Sequence, residues 1–312
     1  MLQIADKLLP ILLLIAGGYL LRRTRILGPD GLSALKKLVV NAGLPAVMFL
    51  SFLRVELDLR FFLVILLIFF LNLALFFAGK IKGIRRKGNF EPFLMTGFEY
   101  GMFAFGVFSV AYGQDAVPLI AVVDLGHELF IWFIFVPAVM AAAGQRKGLR
   151  GTVVSFVSSP IIIAIVLGVV FNLLGLRLFL EKTPIASGVV RMLEMVGSMT
   201  GPLILLVLGA GLVFTREGFR LALKTLALRL PLVLLLYLAV SRFVFGRWLK
   251  LPAGYNIALF VLLVSPPPYV LPVFMGKGTE EEQGRINTTL ALYTLVSLAA
   301  FMVFFVFFPE VV

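Results

Sequence analysis

The chain has 312 residues, of which 61% are hydrophobic, and its formal net charge is +12. This composition excludes a water-soluble globular protein, and no polar stretch is long enough to build a separate soluble domain. Cysteine is absent, which excludes a disulfide framework, a thiolate nucleophile and a cysteine metal site. The positive charges are divided among short loops, so they indicate the topology of a membrane protein and not a nucleic-acid-binding surface.

Ten apolar segments follow one another along the chain. They cover residues 5–21, 31–53, 60–79, 93–112, 116–143, 151–174, 186–214, 218–246, 254–275 and 285–308, and we number them 1 to 10. Each is long enough to cross a hydrocarbon core of ~30 Å as a helix, the conformation that satisfies the backbone inside lipid. Segment 1 lacks a small-residue cleavage site, so we expect a retained helix and not a signal peptide.

Loop charges predict the orientation of these segments. Most cations follow segments 1, 3, 5 and 7: Arg22, Arg23, Arg25, Lys36, Lys37, Lys80, Lys82, Arg85, Arg86, Lys87, Arg146, Lys147, Arg150, Arg216, Arg220 and Lys224. We therefore expect these loops in the cytoplasm and both termini outside, in a multi-pass protein of the plasma or inner membrane. The loop after segment 8, with Arg242, Arg247 and Lys250, runs against this pattern.

The two halves of the chain align in the same order. The matches are Leu9-Pro10-Ile11 with Ser159-Pro160-Ile161, Leu44-Pro45-Ala46 with Gly201-Pro202-Leu203, Gly113 with Gly276, and Asp124 with Asn287. Five segments separate the copies, and an odd number inverts the second copy in the membrane. We therefore predict two inverted five-helix repeats, residues 1–145 and 146–312.

Segments 4 and 9 are both interrupted by helix breakers. These are Gly97, Gly101 and Gly106 in segment 4, and Pro266, Pro267, Pro268 and Pro272 in segment 9. Paired interruptions indicate the binding site of a secondary transporter, because freed backbone groups must face protein or water. Half-helices beginning after Gly106 and after Pro268 would present positive dipole ends that attract anions. No lysine or arginine lies near the middle of segments 4, 5 or 9, so an anion would depend on dipoles, amides and hydroxyls.

Four ionisable residues lie deep in the segments, where each costs about 2.5–3.5 kcal/mol on insertion scales. They are Glu99 in segment 4, and Asp124, His127 and Glu128 in segment 5. The last three share one helical face, because they are spaced i, i+3 and i+4. Two functions are open: a proton-coupling site with His127 as partner or relay, or a polar cluster that satisfies the unwound backbone. His127 is the only histidine, so we expect neither a histidine metal cluster nor a cofactor.

Other polar residues near the breaks allow two interpretations each. Asn41 precedes Gly43 and Pro45, and it could satisfy a kinked helix or contact substrate. Tyr100 and Tyr269 flank the breaks, where a phenol could donate to a carboxylate or pack as an aromatic ring. Sodium could be held by unwound carbonyls together with Asp124, Asn287 or Thr288, so the sequence leaves H⁺ and Na⁺ open as coupling ions.

Three stretches resemble the auxin efflux carrier family, which includes bacterial malate and malonate permeases and lies in the bile, arsenite and riboflavin transporter superfamily. The stretches are Asn41-Ala-Gly-Leu-Pro45-Ala-Val-Met-Phe, Glu99-Tyr-Gly-Met-Phe-Ala-Phe-Gly106 with Ala111-Tyr-Gly113, and Ser265-Pro-Pro-Pro-Tyr-Val-Leu-Pro272. The resemblance implies ten transmembrane helices with broken, crossing helices 4 and 9, as in sodium/proton antiporters. It implies a scaffold of helices 1, 2, 6 and 7 and a mobile, elevator-like domain of helices 3–5 and 8–10.

Substrate would then sit at the crossover. The residues that the resemblance and the breaks assign to it are Asn41, Pro45, Glu99, Tyr100, Gly101, Gly106, Pro266, Pro267, Pro268 and Tyr269. Two positions depart from the family pattern: Glu99 replaces an asparagine, and Gly106 replaces the first crossover proline. Glu99 would weaken anion binding unless it is protonated, which favours proton coupling or a neutral or amine-bearing substrate. The loop Ala143–Arg150 is too short to be the regulatory loop of plant members.

We therefore predict a secondary active transporter of a small organic anion, with the lipid bilayer and that anion as its partners. A passive channel and a non-transporting receptor on the same fold are the alternatives. An enzyme is disfavoured because no Ser–His or Cys–His pair is present, and no phosphate-binding Gly-x-x-x-x-Gly-Lys loop supports ATP-driven transport. Small-residue faces at Gly197–Gly201 and Gly209–Gly211 could pack within the protein or in a homodimer.

Overall fold

A computed structural model describes residues 2–55, 57–80, 90–144, 151, 154, 157–212, 214–216, 218–275 and 279–311. All regular elements in these residues are helices, so the chain is all-α as predicted. The helices are α1 (Leu2–Arg23), α2 (Pro29–Arg54), α3 (Leu59–Lys80), α4 (Tyr100–Tyr112), α5 (Gln114–Ala142), α6 (Pro160–Leu173), α7 (Arg177–Lys182), α8 (Pro184–Gly211), α9 (Gly218–Trp248), α10 (Ala253–Val264), α11 (Val270–Phe274) and α12 (Glu280–Phe307). A short 3-10 turn, Glu91–Met95, precedes α4.

Six helices of the described residues are long and apolar enough to cross a membrane: α2, α3, α5, α8, α9 and α12. Apolar side chains also remain on their outer surfaces; on α9, for example, Leu235 is 65% exposed and Phe243 is 61% exposed. Water-soluble proteins rarely expose large apolar patches, whereas helices that face lipid do so along their length. The structure is that of a multi-pass membrane protein.

Two predicted segments are interrupted in the structure. Residues 96–99 are non-helical between the 3-10 turn and α4, and residues 265–269 are non-helical between α10 and α11. The second break coincides with the triple proline, as predicted. The first corrects the sequence prediction, since Gly101 and Gly106 are helical and α4 begins at Tyr100 instead of after Gly106.

Several residues on which the predicted orientation and repeat depend lie outside the described residues. This applies to the cations Lys82, Arg85, Arg86, Lys87, Arg146, Lys147 and Arg150, and to Gly276 of the proposed repeat. Most of the short loop that follows Ala143 is also outside them. The orientation of the chain therefore stays a prediction.

The chain divides into two compact units. Unit 1 consists of Met1–Asp58, Gly101–Ala121 and Val154–Gly211. Within it α1 packs on α8 and α2 packs on α6. Glycines allow these helices to approach closely: a Cβ atom on Gly18 would overlap the carbonyl of Leu206, and one on Gly209 would overlap the carbonyl of Ile15.

The small-residue faces predicted on α8 are used inside unit 1. Gly197 faces Val47, and Gly201 faces Ser109, so close that a Cβ atom there would lie 2.5 Å from the hydroxyl oxygen. Small residues at such positions bring helix backbones together in a membrane, where there is no hydrophobic driving force between helices. Contacts within unit 1 account for Gly197, Gly201 and Gly209 without a second subunit, whereas Gly211 is exposed, and a homodimer stays a prediction.

Unit 2 consists of Leu59–Tyr100, Val122–Val153 and Leu212–Val312. It contains both helix breaks. Phenylalanine side chains from α3, from the 3-10 turn and from α5 form part of its core, at Phe76, Phe93, Phe130 and Phe135. In the same unit α9 packs against α12. These contacts hold elements of unit 2 that lie around the two buried breaks.

Candidate functional site

The two breaks of unit 2 are hydrogen-bonded to each other. The backbone N–H of Glu99 donates to the carbonyl of Pro266 over 2.8 Å. In return, the backbone N–H of Tyr269 donates to Oε2 of the Glu99 carboxylate over 2.6 Å. Each break thereby satisfies polar backbone groups that the other has lost from its helix, which is a requirement inside a membrane.

Glu99 is buried, with 8% of its surface exposed, and it lies directly before α4. Its carboxylate accepts a hydrogen bond at the beginning of α11, where the freed N–H groups of a helix favour negative charge. A carboxylate of the protein itself therefore already holds a position that the sequence assigned to an anionic ligand. Pro266, Pro267 and Pro268 are buried in the same break.

A cation that the sequence analysis missed also lies at the breaks. Arg229 of α9 is 0% exposed, and its Nη1 donates to the carbonyl of Leu94 over 2.7 Å. Its Nη2 donates to the carbonyl of Gly97 over 2.5 Å and, over a longer 3.4 Å, to that of Ser265. The sequence feature that could have identified this cation is its position in the middle of an apolar segment, two residues before Pro231. A charged residue there needs a buried partner.

His127 of α5 supplies a further contact to the first break. Its Nε2 atom lies 2.9 Å from the backbone nitrogen of Phe98, and its Nδ1 atom lies 2.9 Å from Oδ1 of Asp124. A backbone N–H can only donate, so Nε2 must be an unprotonated acceptor and the ring proton must be on Nδ1. The chain Asp124–His127–Phe98 therefore holds the break with a neutral imidazole, and His127 cannot take a second proton without losing the Phe98 bond.

The acidic face of α5 has the geometry that its spacing predicted. The ligand atoms of Asp124, His127 and Glu128 lie within 4.8 Å of one another. Each has its own partner, however, since Glu128 accepts a hydrogen bond from the indole N–H of Trp132 over 2.9 Å. Both nitrogens of His127 are engaged, so the ring has no lone pair to offer a metal ion in this arrangement.

The two tyrosines at the breaks are placed differently from each other. Tyr100 is buried at the start of α4. Tyr269 meets Glu99 through its backbone N–H, whereas its phenol oxygen lies 2.5 Å from the hydroxyl of Thr294 on α12. The Tyr269 phenol thus has a hydroxyl as its partner and not the carboxylate that one of its two interpretations suggested.

The remaining predicted substrate residues lie in unit 1. Asn41 is exposed on a π-helical turn of α2, and its amide donates to the carbonyl of Lys37 over 2.8 Å. This bond within the helix matches the first of its two interpretations. Pro45 follows in α2, and Gly101 and Gly106 lie in α4, where a Cβ atom on Gly106 would lie 2.6 Å from a methyl group of Ile204.

Asn287 and Thr288, the candidate sodium ligands of segment 10, lie on α12. The hydroxyl of Thr288 accepts a hydrogen bond from the backbone N–H of Thr215 over 2.8 Å. Among the described residues, no hydrogen bond or ion pair joins Asn287 to Glu99 or Asp124. The structure therefore brings Glu99, Asp124 and His127 to the breaks. Asn287 and Thr288 lie elsewhere on unit 2.

Two comparisons with known proteins indicate which class of protein this chain resembles. The model of a family described as membrane transport protein matches residues 3–96. A protein of the archaeon Methanothermobacter thermautotrophicus, described as an uncharacterized transporter, is 25% identical over an alignment that covers 95% of each chain. The chain is therefore similar to membrane transport proteins over residues 3–96 and to one transporter over nearly its whole length.

Proposed function

We propose that this protein is a secondary active transporter that moves a small organic anion, a carboxylate, across the cell membrane by elevator-type alternating access. The breaks at residues 96–99 and 265–269 are then the crossing point of segments 4 and 9 in two inverted five-helix repeats. Segments 3–5 and 8–10 then form the mobile domain that carries the substrate, and segments 1, 2, 6 and 7 form the scaffold. The family match and the transporter relative support the class of function, and the paired breaks support the location of the site.

The observation that carries this proposal is the bond from the Tyr269 N–H to the Glu99 carboxylate. While Glu99 is ionised, it holds this N–H and repels a second carboxylate. Once Glu99 is protonated, the repulsion ends and the N–H is free to bind the carboxylate of the substrate. One proton would thus enter the site with each anion, which is a direct form of proton coupling.

The neighbouring charged groups favour Glu99 over Asp124 as the proton carrier. The carboxylates of Asp124 and Glu128 already accept hydrogen bonds within α5, from the Nδ1–H of His127 and from the indole N–H of Trp132. The guanidinium of Arg229 donates to carbonyl oxygens. The hydrogen bond to Glu99 from the Tyr269 N–H could pass to a substrate without breaking the contacts of His127 and Arg229 with the first break.

Transport by the purified protein in proteoliposomes tests this function. Vesicles preloaded with an unlabelled acid would receive the labelled acid outside, across a panel of dicarboxylates, monocarboxylates, aromatic acids and amino acids, with a pH-sensitive dye inside. We expect saturable counterflow of one class of carboxylate, accompanied by proton movement. Linear, non-saturating flux would instead indicate a passive channel, and transport of amines or neutral amino acids alone would contradict an anionic substrate.

A further inference from the structure

Arg229 makes an unusual set of contacts for a buried arginine. The three acceptors of its guanidinium are backbone carbonyl oxygens, those of Leu94, Gly97 and Ser265. Its Cζ atom lies 4.9 Å from the ring centroid of Phe98 and 5.2 Å from that of Tyr293. Among the described residues, no carboxylate forms an ion pair with it. Backbone carbonyl dipoles and two aromatic side chains thus surround a full positive charge in the membrane.

The positions of these carbonyls explain why they attract a cation. Leu94 lies in the 3-10 turn, Gly97 lies in the first break, and Ser265 is the cap residue directly after the end of α10. The last carbonyls of a helix have no partner within it, and they carry the negative end of the helix dipole. In secondary transporters, unwound carbonyls and half-helix ends of this kind coordinate Na⁺. Left empty inside a membrane, three such oxygens would be unsatisfied.

We propose that the Arg229 guanidinium is a resident cation that takes the place of a coupling Na⁺ at the paired breaks. The guanidinium links the two breaks through their backbone carbonyl oxygens, while the Glu99 carboxylate links them through the backbone N–H of Tyr269. Unit 2 therefore needs no metal cation at these carbonyls. This inference goes beyond the proposed function, because it concerns how the breaks are held and applies whatever substrate is carried.

The test uses thermal unfolding of the full-length protein in detergent, so it needs no knowledge of the substrate. Native protein, Arg229→Ala and the control Arg220→Ala, which alters an exposed arginine on the same helix, would be melted at equal ionic strength in choline, sodium, potassium or low-millimolar guanidinium chloride. We expect the native protein and the control to melt alike in all four salts. We expect Arg229→Ala to melt several degrees lower in choline and to recover part of this loss in guanidinium or sodium.

Two results would overturn the inference: no cation raises the melting temperature of Arg229→Ala above its value in choline, or the native protein itself requires sodium for stability. If Arg229→Ala does not fold, Arg229→Lys and Arg229→Met provide the second comparison. The lysine keeps the charge on a flexible stem, whereas methionine fills the space without charge. We expect the lysine variant to be the more stable of the two, and equal losses would show that the charge at this position is not what holds the breaks.

Discussion

Gly97 and Pro268 meet where the two helix breaks approach each other. A Cβ atom added to Gly97 would lie 2.6 Å from Cγ of Pro268, and the backbone of Gly97 has a φ of +69°. The position therefore needs glycine for two separate reasons, a left-handed backbone and the space that the proline ring fills. The carbonyl of the same glycine accepts a hydrogen bond from Arg229.

The substitution Gly97→Ala should lower the stability of the protein and impair transport. The positive φ costs about 1–2 kcal/mol for a residue with a side chain, and the overlap with Pro268 adds about 1–3 kcal/mol of overpacking strain. We expect a fall in the melting temperature of several degrees in detergent, together with a loss of counterflow.

Gly175→Ala is the matched control for that variant. Gly175 has almost the same φ, +67°, but no atom lies within 4 Å of where its Cβ would be. It should therefore show the backbone cost without the overlap. If the melting temperatures of both variants fall by the same amount, overlap with Pro268 adds nothing to the cost of the strained backbone.

Glu99→Gln should separate binding from proton coupling. Glutamine keeps an oxygen that can accept the Tyr269 N–H, but it carries no charge and cannot release a proton. We expect counterflow of the anion to continue with its pH dependence abolished, and proton movement with the substrate to disappear. Glu194→Gln, which removes a carboxylate from the Arg54 ion pair of unit 1, should leave the pH dependence as in the native protein. Unchanged pH dependence in Glu99→Gln would assign the coupling to another group.

The contacts of His127 predict which of its nitrogens carries the proton. The chain has one histidine, so a histidine-labelled sample gives a single pair of ring ¹⁵N signals. We expect a neutral ring protonated on Nδ1, because Nε2 accepts from the Phe98 N–H. A ring protonated on Nε2, or on both nitrogens at neutral pH, would contradict this hydrogen-bond pattern and reopen His127 as a proton relay.

Local chemistry made some of these features predictable from sequence. The triple proline has no helical alternative, so an interruption at 266–268 followed directly. The spacing of Asp124 and His127 on one helical face predicted that they meet, and their side chains lie 2.9 Å apart. The apolar segments predicted an all-helical membrane protein because backbone satisfaction in lipid leaves few other choices.

Tertiary partners decided what the sequence left open. Three glycines in segment 4 could each have broken the helix, and the break falls near Gly97 because Pro268 and Arg229 meet the chain there. No spacing rule connects Arg229 in segment 8 with carbonyls more than 130 positions earlier in the chain, so its role was visible only in three dimensions. Its position in an apolar segment indicated that Arg229 is important, but it did not indicate which groups the side chain contacts.

Asn172 offers a test of unit 1 that is independent of the breaks. Its amide, on α6, donates to the carbonyls of Phe52 and Val55 at the end of α2, over 2.9 Å and 2.7 Å. Asn172→Ala leaves these two terminal carbonyls without that donor, which should cost about 1–3 kcal/mol and lower the melting temperature.

Asn41→Ala is the control for Asn172→Ala. The exposed amide of Asn41 bonds to a carbonyl of its own helix, so its loss should change the free energy of unfolding by less than about 0.5 kcal/mol. Because Asn172 touches neither break, its variant should keep the KM and the pH dependence of transport while it melts earlier. A changed KM in Asn172→Ala would show that the end of α2 takes part in substrate binding.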